Sequence, residues 1–151
     1  MKSDDTHNFS IRNKKARYNY IIEEVFEAGI ILEGSEVKSL RVGKASIENA
    51  FATDKKNEIW MQNSFIENTV NHGTSKSTRS RKLLLKKKEI KKIKTKLNNQ
   101  GYSLIPIKVY FNRKGIAKIS IGLSKGRKLE DKRDYKKTMD WKRQQERLVK
   151  R

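Results

Sequence analysis

The chain has no cysteine, a single proline and only two histidines among its 151 residues. Without thiols it forms neither disulfides nor thiolate metal sites, which fits a reducing, cytoplasmic setting. With one proline it has no Pro-rich linker. Hydrophobic residues make up 34%, below the roughly 45–50% of an average globular domain. The deficit points to a compact part and an unpacked part. No run approaches the roughly 18 apolar residues of a membrane span, and "MKSDDTHNFS" has no apolar stretch of a secretory signal. No segment joins a basic face to a wide apolar one, so a membrane is not the expected partner.

Catalytic groupings are also missing. His7 and His72 sit in polar segments and read as ordinary surface residues. "GKAS" (43–46) lacks the upstream glycine and flanking strand of a phosphate loop. Asp4 and Asp5 are a weak metal hint in a polar terminus, and Glu23, Glu24 and Glu27 read as solvated acids on a strand. Nothing names a reaction; the reading is of a non-enzyme with no cofactor and no metal.

What the chain does have is positive charge. Lys and Arg number 37 against 17 acids, a net charge of +20. Such an excess repels itself unless a polyanion relieves it, and nucleic acid is the default polyanion. The excess is focused. Residues 76–96 carry eleven basic residues and one acid, and residues 125–151 carry twelve and five. A surface tuned for solubility would intersperse the two signs. Two basic zones on a nearly neutral body read as two regions of phosphate contact, and so much like charge points to a monomer.

The body between them has the pattern of a small barrel. Residues 1–12 are polar and read as a flexible terminus. "YNYIIEEVFEAGIILEG" (18–34) alternates as a strand, with Gly29 as a candidate bulge. "SEVKSLRVGK" (35–44) reads as a short helix capped by Ser35 and stopped at Gly43. "SIENAFATD" and "EIWMQNSFIE" read as two strands joined at "DKKN". A polar loop (71–81) leads to "KLLLKKKEIKKIKTKLNNQG", in which Ile90, Ile93 and Leu97 form one narrow helical stripe. Residues 104–123 are the clearest hairpin, with Ile105, Ile107, Val109 and Phe111 on one face and a turn at "NRKG". Pro106 places that strand near an edge or a strand start. The fold class is therefore mainly β: a small closed antiparallel barrel of the oligonucleotide-binding type, with two or three short helices. A split α+β sandwich is the alternative. Residues 13–124 form this domain, and 125–151 a basic tail that is disordered, or helical on binding. Tyr18 and Trp60 are candidate base-stacking residues, whereas Phe26, Phe51, Phe65 and Phe111 read as core.

Four collinear strings carry a resemblance: "NKKARYNYIIEEVFEAGIILEGSEVKSLRVGKASI" (13–47), "RSRKLLLKKKEI" (79–90), "GYSLIPIKVYFNRKGIAKISIGLSKGRKLEDKRD" (101–134) and "DWKRQQERLVK" (140–150). In this order they closely resemble the SsrA-binding protein (small protein B) family. The resemblance implies an oligonucleotide-binding-like barrel that binds transfer-messenger RNA and brings it to stalled bacterial ribosomes, with elongation factor Tu in the charged complex. It implies contact with the tRNA-like domain by Asn13, Glu27 and Leu84, with Lys38 and Arg41 close to the same RNA. Arg17, Tyr18, Arg81, Lys82, Lys86, Lys87 and Lys88 complete the RNA-facing set. In the tail, Gly126, Lys128, Asp131, Lys132 and Arg133 match the family motif. Together with Lys125, Arg127, Trp141, Lys142 and Arg143 they are implied to enter the decoding centre and the empty message channel. Glu130 stands where many relatives have histidine, and that histidine's role is not transferred. Two rivals stay open: a permanent RNA-binding component of the ribosome, and an RNA-processing enzyme with a carboxylate metal site.

Overall fold

The computed structural model describes residues 10–68, 77–99 and 101–149. Histidines His7 and His72, Asp4 and Asp5, Lys76, and the first part of the 71–81 loop lie outside these. The chain order is β1 (Ser10–Arg12), α1 (Ala16–Asn19), β2 (Tyr20–Ile30), α2 (Gly34–Arg41), β3 (Ala45–Ser46), β4 (Phe51–Lys55), β5 (Glu58–Gln62), β6 (Phe65–Ile66), β7 (Arg81–Leu84), α3 (Lys87–Leu97), β8 (Tyr102–Phe111), β9 (Ala117–Gly126) and α4 (Leu129–Val149). Strands β8, β4, β5, β7, β2 and β9 follow one another through hydrogen bonds, and β9 pairs back onto β8, so six strands form a ring. Every pairing is antiparallel. The ring agrees with the mainly β reading.

Ser10–Arg12, placed by sequence in the polar terminus, add β1 to the ring by pairing with Tyr110–Lys108. The two strands expected over 46–67 each divide: β4 and β5 join the ring, while β3 and β6 pair as a separate ribbon. "KLLL", expected to head a helical segment, is mostly β7, and the helix starts only at Lys87. Its short apolar run is buried on alternate residues, the period of a strand.

The local rules explain the turns. Lys56 and Asn57 both have positive φ, 51° and 62°, the left-handed pair of a two-residue hairpin turn. Asn112 Oδ1 accepts from the N–H groups of Lys114 and Ile116 at 3.0 and 2.9 Å and closes the β8–β9 turn. Gly43 has φ 80° and stops α2. The N-terminal cap of α2 is Glu33 rather than Ser35: the Glu33 N–H donates to Glu36 Oε1 at 2.9 Å.

Two bulges set which side chains face in. One lies at Glu23 in β2, where the pairing with β9 shifts between Ile22 and Glu24. Gly29, the expected bulge, is in regular register opposite Leu84; a Cβ there would come within 3.3 Å of Leu84 Cβ, so glycine serves a close strand approach. The second bulge lies at Ile107 in β8. It breaks the expected common face, because Leu104, Val109 and Phe111 join the core cluster and Ile107 does not. Leu40 from α2 and Ile93 from α3 complete that core, with Ile90 and Leu97 packed at its margin as the helical stripe requires.

One polar cluster is buried among these elements. Glu36 of α2 is fully buried between Arg79 and Arg81, accepting from the Nε of each at 3.1 Å. Arg81 also donates to Ser64 O and Oγ at 3.0 and 2.9 Å and to Ser77 O at 3.0 Å. Asn68 donates to Glu33 Oε2 at 2.7 Å and extends the network to the helix start. Burial raises the Glu36 carboxyl, but the hydrogen bonds from Arg79, Arg81 and the Glu33 N–H outweigh it and hold the group below the usual carboxylate range.

Replacing Glu36 by Gln leaves a buried guanidinium unpaired and should cost about 3–5 kcal/mol in urea unfolding at neutral pH. Because the folded pKa is depressed, the carboxylate's contribution is full above the unfolded value of about 4.5 and is lost as pH falls through the folded one. The stability gap between wild type and E36Q should therefore narrow on acidification; a constant gap would contradict the charged pairing.

Candidate nucleic-acid interface

The outer wall of the ring is read directly from strand register. Side chains opposite one another on neighbouring strands share a face. One row runs Leu84, Gly29, Lys118, Tyr110 across β7, β2, β9 and β8. The next runs Glu27, Ser120, Lys108, Arg12 and ends on β1. Leu84 is 52% exposed, and Val25 and Ile31 on β2 are exposed beside it. An exposed leucine on a strand, flanked by other apolar residues and a carboxylate, is a contact surface rather than a solvated edge. Glu27 and Leu84, chosen from distant parts of the sequence, are thus brought onto one face.

Sequence reasoning missed Arg12, Lys108, Tyr110 and Lys118 on this wall. The signal was present: Lys108 and Tyr110 alternate with Val109 and Phe111, and Lys118 alternates with Ala117 and Ile119. Lys108 lies over the Tyr110 ring at 5.0 Å. Among the described residues Arg12, Lys108 and Lys118 have no ion-pair partner.

Other chosen residues fall elsewhere. Lys38 and Arg41 are exposed on α2, and the Arg41 guanidinium lies 5.1 Å from the Phe111 ring centre. Asn13 is only 8% exposed; its Nδ2 donates to Pro106 O at 3.1 Å and its Oδ1 lacks a partner. A buried acceptor left open is a deficit that a water or a ligand donor relieves. Lys82 is tied to Glu58 at 2.8 Å. Lys86, Lys87 and Lys88 are exposed at the start of α3. Arg81 is a correction: at 0% exposure, with its guanidinium filled by Glu36, Ser64 and Ser77, it cannot meet a partner and belongs to the core. Phe51 and Phe65, read as core, are exposed instead.

The acids of β2 are not simply solvated. Glu23 accepts from the Tyr102 hydroxyl at 3.0 Å, and Glu24 pairs with Lys92 at 2.7 Å. Glu27 alone of the three is left without an ion pair or hydrogen bond among the described residues. Those residues include no group of three or more His, Asp or Glu able to hold a metal ion.

The tail is a helix of 21 residues, α4, with none buried. Its first turn carries Glu130 and Asp131, and acids there complement the helix dipole. Glu130, the departure from histidine, thus has a local role. Arg127 fastens the root to α1: its N–H donates to Asn19 O at 2.8 Å and its Nε to Arg17 O at 2.9 Å. Its guanidinium lies 4.5 Å from the Tyr135 ring centre, and Lys132 lies over the Tyr18 ring at 5.7 Å. Lys132, Tyr135 and Met139 are partly covered, but from Asp140 to Val149 every residue is exposed. Lys125, Gly126, Lys128, Asp131 and Arg133 are exposed around the root, and Trp141, Lys142 and Arg143 on the free part. No helix among the described residues is long and apolar enough to cross a membrane.

Comparison with known proteins agrees with this arrangement. The family model "SmpB protein" matches residues 10–151. The "SsrA-binding protein" of Sinorhizobium fredii is 50% identical over 143 residues, covering 91% of this chain and 88% of the relative. That of Allorhizobium ampelinum is 49% identical, covering 91% and 89%. A solved chain, described as "tmRNA-SmpB: a journey to the center of the bacterial ribosome", superposes with a TM-score of 0.66 at 38% identity, covering 80% of this chain and 85% of that one. With a matching ring, a matching sequence order and a family match from β1 to the last residue, this chain belongs to the SmpB family of SsrA-binding proteins.

Proposed function

We propose that this chain binds the tRNA-like domain of transfer-messenger RNA and delivers it to stalled bacterial ribosomes for trans-translation. The observation that carries the reading is the contrast between a packed ring and a 21-residue helix with no buried residue attached to it. The ring, residues 13–124, holds the tRNA-like RNA on its outer wall, through Glu27 and Leu84, with Asn13, Arg17, Tyr18, Lys38 and Arg41 around it. Lys82, Lys86, Lys87 and Lys88 contribute phosphate contacts. The tail, residues 125–151, enters the decoding centre and the message channel, where phosphates supply the partner that its basic faces lack. Message and tail then compete for one volume, so the tail engages only an empty channel. The protein acts as a cytoplasmic monomer, in company with elongation factor Tu, and performs no chemistry itself.

Deleting residues 129–151 removes α4 but keeps β9 and Arg127. Binding to the isolated tRNA-like RNA should persist within a few-fold, and peptide tagging on stalled ribosomes should be lost. Equal loss of both would contradict the division between ring and tail, and intact tagging would favour a permanent ribosomal component without tail sensing. An RNA-processing enzyme would instead cleave this RNA in magnesium; none is expected.

Leu84→Ala gives a sharper test of the wall. The side chain is exposed, so thermal stability should change little. Burial against RNA would be lost, lowering affinity for the tRNA-like RNA by about fivefold to thirtyfold. Unchanged affinity in a filter-binding titration would remove Leu84 from the interface.

A further inference from the structure

The two basic zones are separated in sequence by the whole β8–β9 hairpin, but the fold joins them. Helix α3 covers the end of the ring where β2 starts and β9 finishes: Lys92 pairs with Glu24 near the start of β2 at 2.7 Å. Tyr102, at the start of β8, is opposite Lys125 in β9. Its ring takes Lys96 of α3 at 5.4 Å and Lys125 at 4.8 Å, and its hydroxyl is fixed on Glu23. One aromatic side chain therefore bridges the α3 cations to the root of the tail.

The rest of α3 continues that surface. Lys87, Lys91 and Lys94 are four and three residues apart, so they line one side of the helix at rises of about 6 and 4.5 Å. They border a groove of about 480 Å³ with Ile90, and Lys94 Nζ donates to Asn57 Oδ1 across it. Of the α3 lysines only Lys92 has an ion-pair partner among the described residues. The cations of α2 are at the other end of the ring, where Arg41 lies against Phe111 and Gly115. Glu27 and Leu84 lie on the wall between.

We propose that Lys91, Lys94 and Lys96, joined to Lys125 through Tyr102, bind the phosphate backbone of the same RNA that receives the tail, and not of the RNA held on the wall. This rests on the reading that the tail enters the ribosome. The chemistry is that of a phosphodiester strand: ammonium groups on a rigid helix, each able to replace a condensed counterion. The anchor fixes the tail root at the ring's end, so that α4 starts from a set position.

The test uses the full chain carrying Lys91→Gln, Lys94→Gln and Lys96→Gln, titrated across salt against two RNAs. Against small ribosomal subunits with an empty message channel, the log affinity–log salt slope should become shallower by about 2 to 3. Against the isolated tRNA-like RNA, affinity and slope should not change. The three Lys→Arg substitutions keep the charge and should restore the wild-type slope on subunits. An equal loss on both RNAs would move α3 to the wall's partner and overturn the proposal. No change on either would make these lysines a solvated face and overturn it too. Failure of the wild-type chain to bind subunits at all would instead overturn the ribosome reading on which it rests.

Discussion

The arrangement depends on one buried carboxylate. Glu36 sits in α2, Arg79 in the segment before β7, and Arg81 at its first residue; the ion pairs between them fix a helix at one end of the ring to a strand of its wall. Burying a charge is costly unless its partners are buried with it in good geometry. Here the compensation is dense: Arg81 spends its donors on Glu36, Ser64 and Ser77, and so draws the 64–68 segment and the approach to β7 onto α2. Apolar packing would hold these pieces together without selecting a position along the strand. Directional hydrogen bonds select it. The register of β7 against Gly29 and Ile30 decides whether Leu84 faces out, and a slip of one residue would turn it inward.

The outer wall follows from that register and from two bulges. Each inserts one residue and exchanges the inward and outward sets beyond it. The bulge at Ile107 lets Val109 and Phe111 enter the core while Lys108 and Tyr110 face out beside Ser120 and Lys118. Basic and aromatic residues are thereby gathered next to Leu84 and Glu27 without any of them being adjacent in sequence. The acid on this face does not make it unsuitable for RNA. Carboxylates accept from base amino groups and ribose hydroxyls, whereas the surrounding lysines hold phosphates.

Much of this was legible in the sequence, and the reasons it was or was not are local. The Asn112–Gly115 turn, the stop at Gly43 and the stripe of Ile90, Ile93 and Leu97 were readable because each depends on residues within a turn or two of chain. The bulges were not, since a bulge is a property of two paired strands and leaves little mark on either alone. Gly29 looked like a bend, but its cause is Leu84, more than fifty residues away in the chain. Arg81 looked like a phosphate contact because it lies in a basic run; only the approach of Glu36 from another element takes it out of solvent. Phe51 and Phe65 looked like core because hydrophobicity does not tell which face of a short strand is covered.

The tail shows the same limit from the other side. Its composition has little to bury, and α4 buries nothing fully, but its root is not free: Arg127 bonds to two carbonyls of α1 and stacks on Tyr135, and Lys132 covers Tyr18. Each such contact at an exposed site is worth about 1 kcal/mol or less. That is enough to aim a helix and too little to hold it against a polyanion. Beyond Met139 no contact with the body covers a side chain, and a lone helical segment of ten residues is marginal in water. The helix is therefore directed at its start and undetermined at its end. Such a segment reaches roughly 32 Å from its root, yet its ordering cost is met only where phosphates surround it. Weak fastening at the root and none at the tip make occupancy of the far site, rather than folding of the chain, the event that orders it.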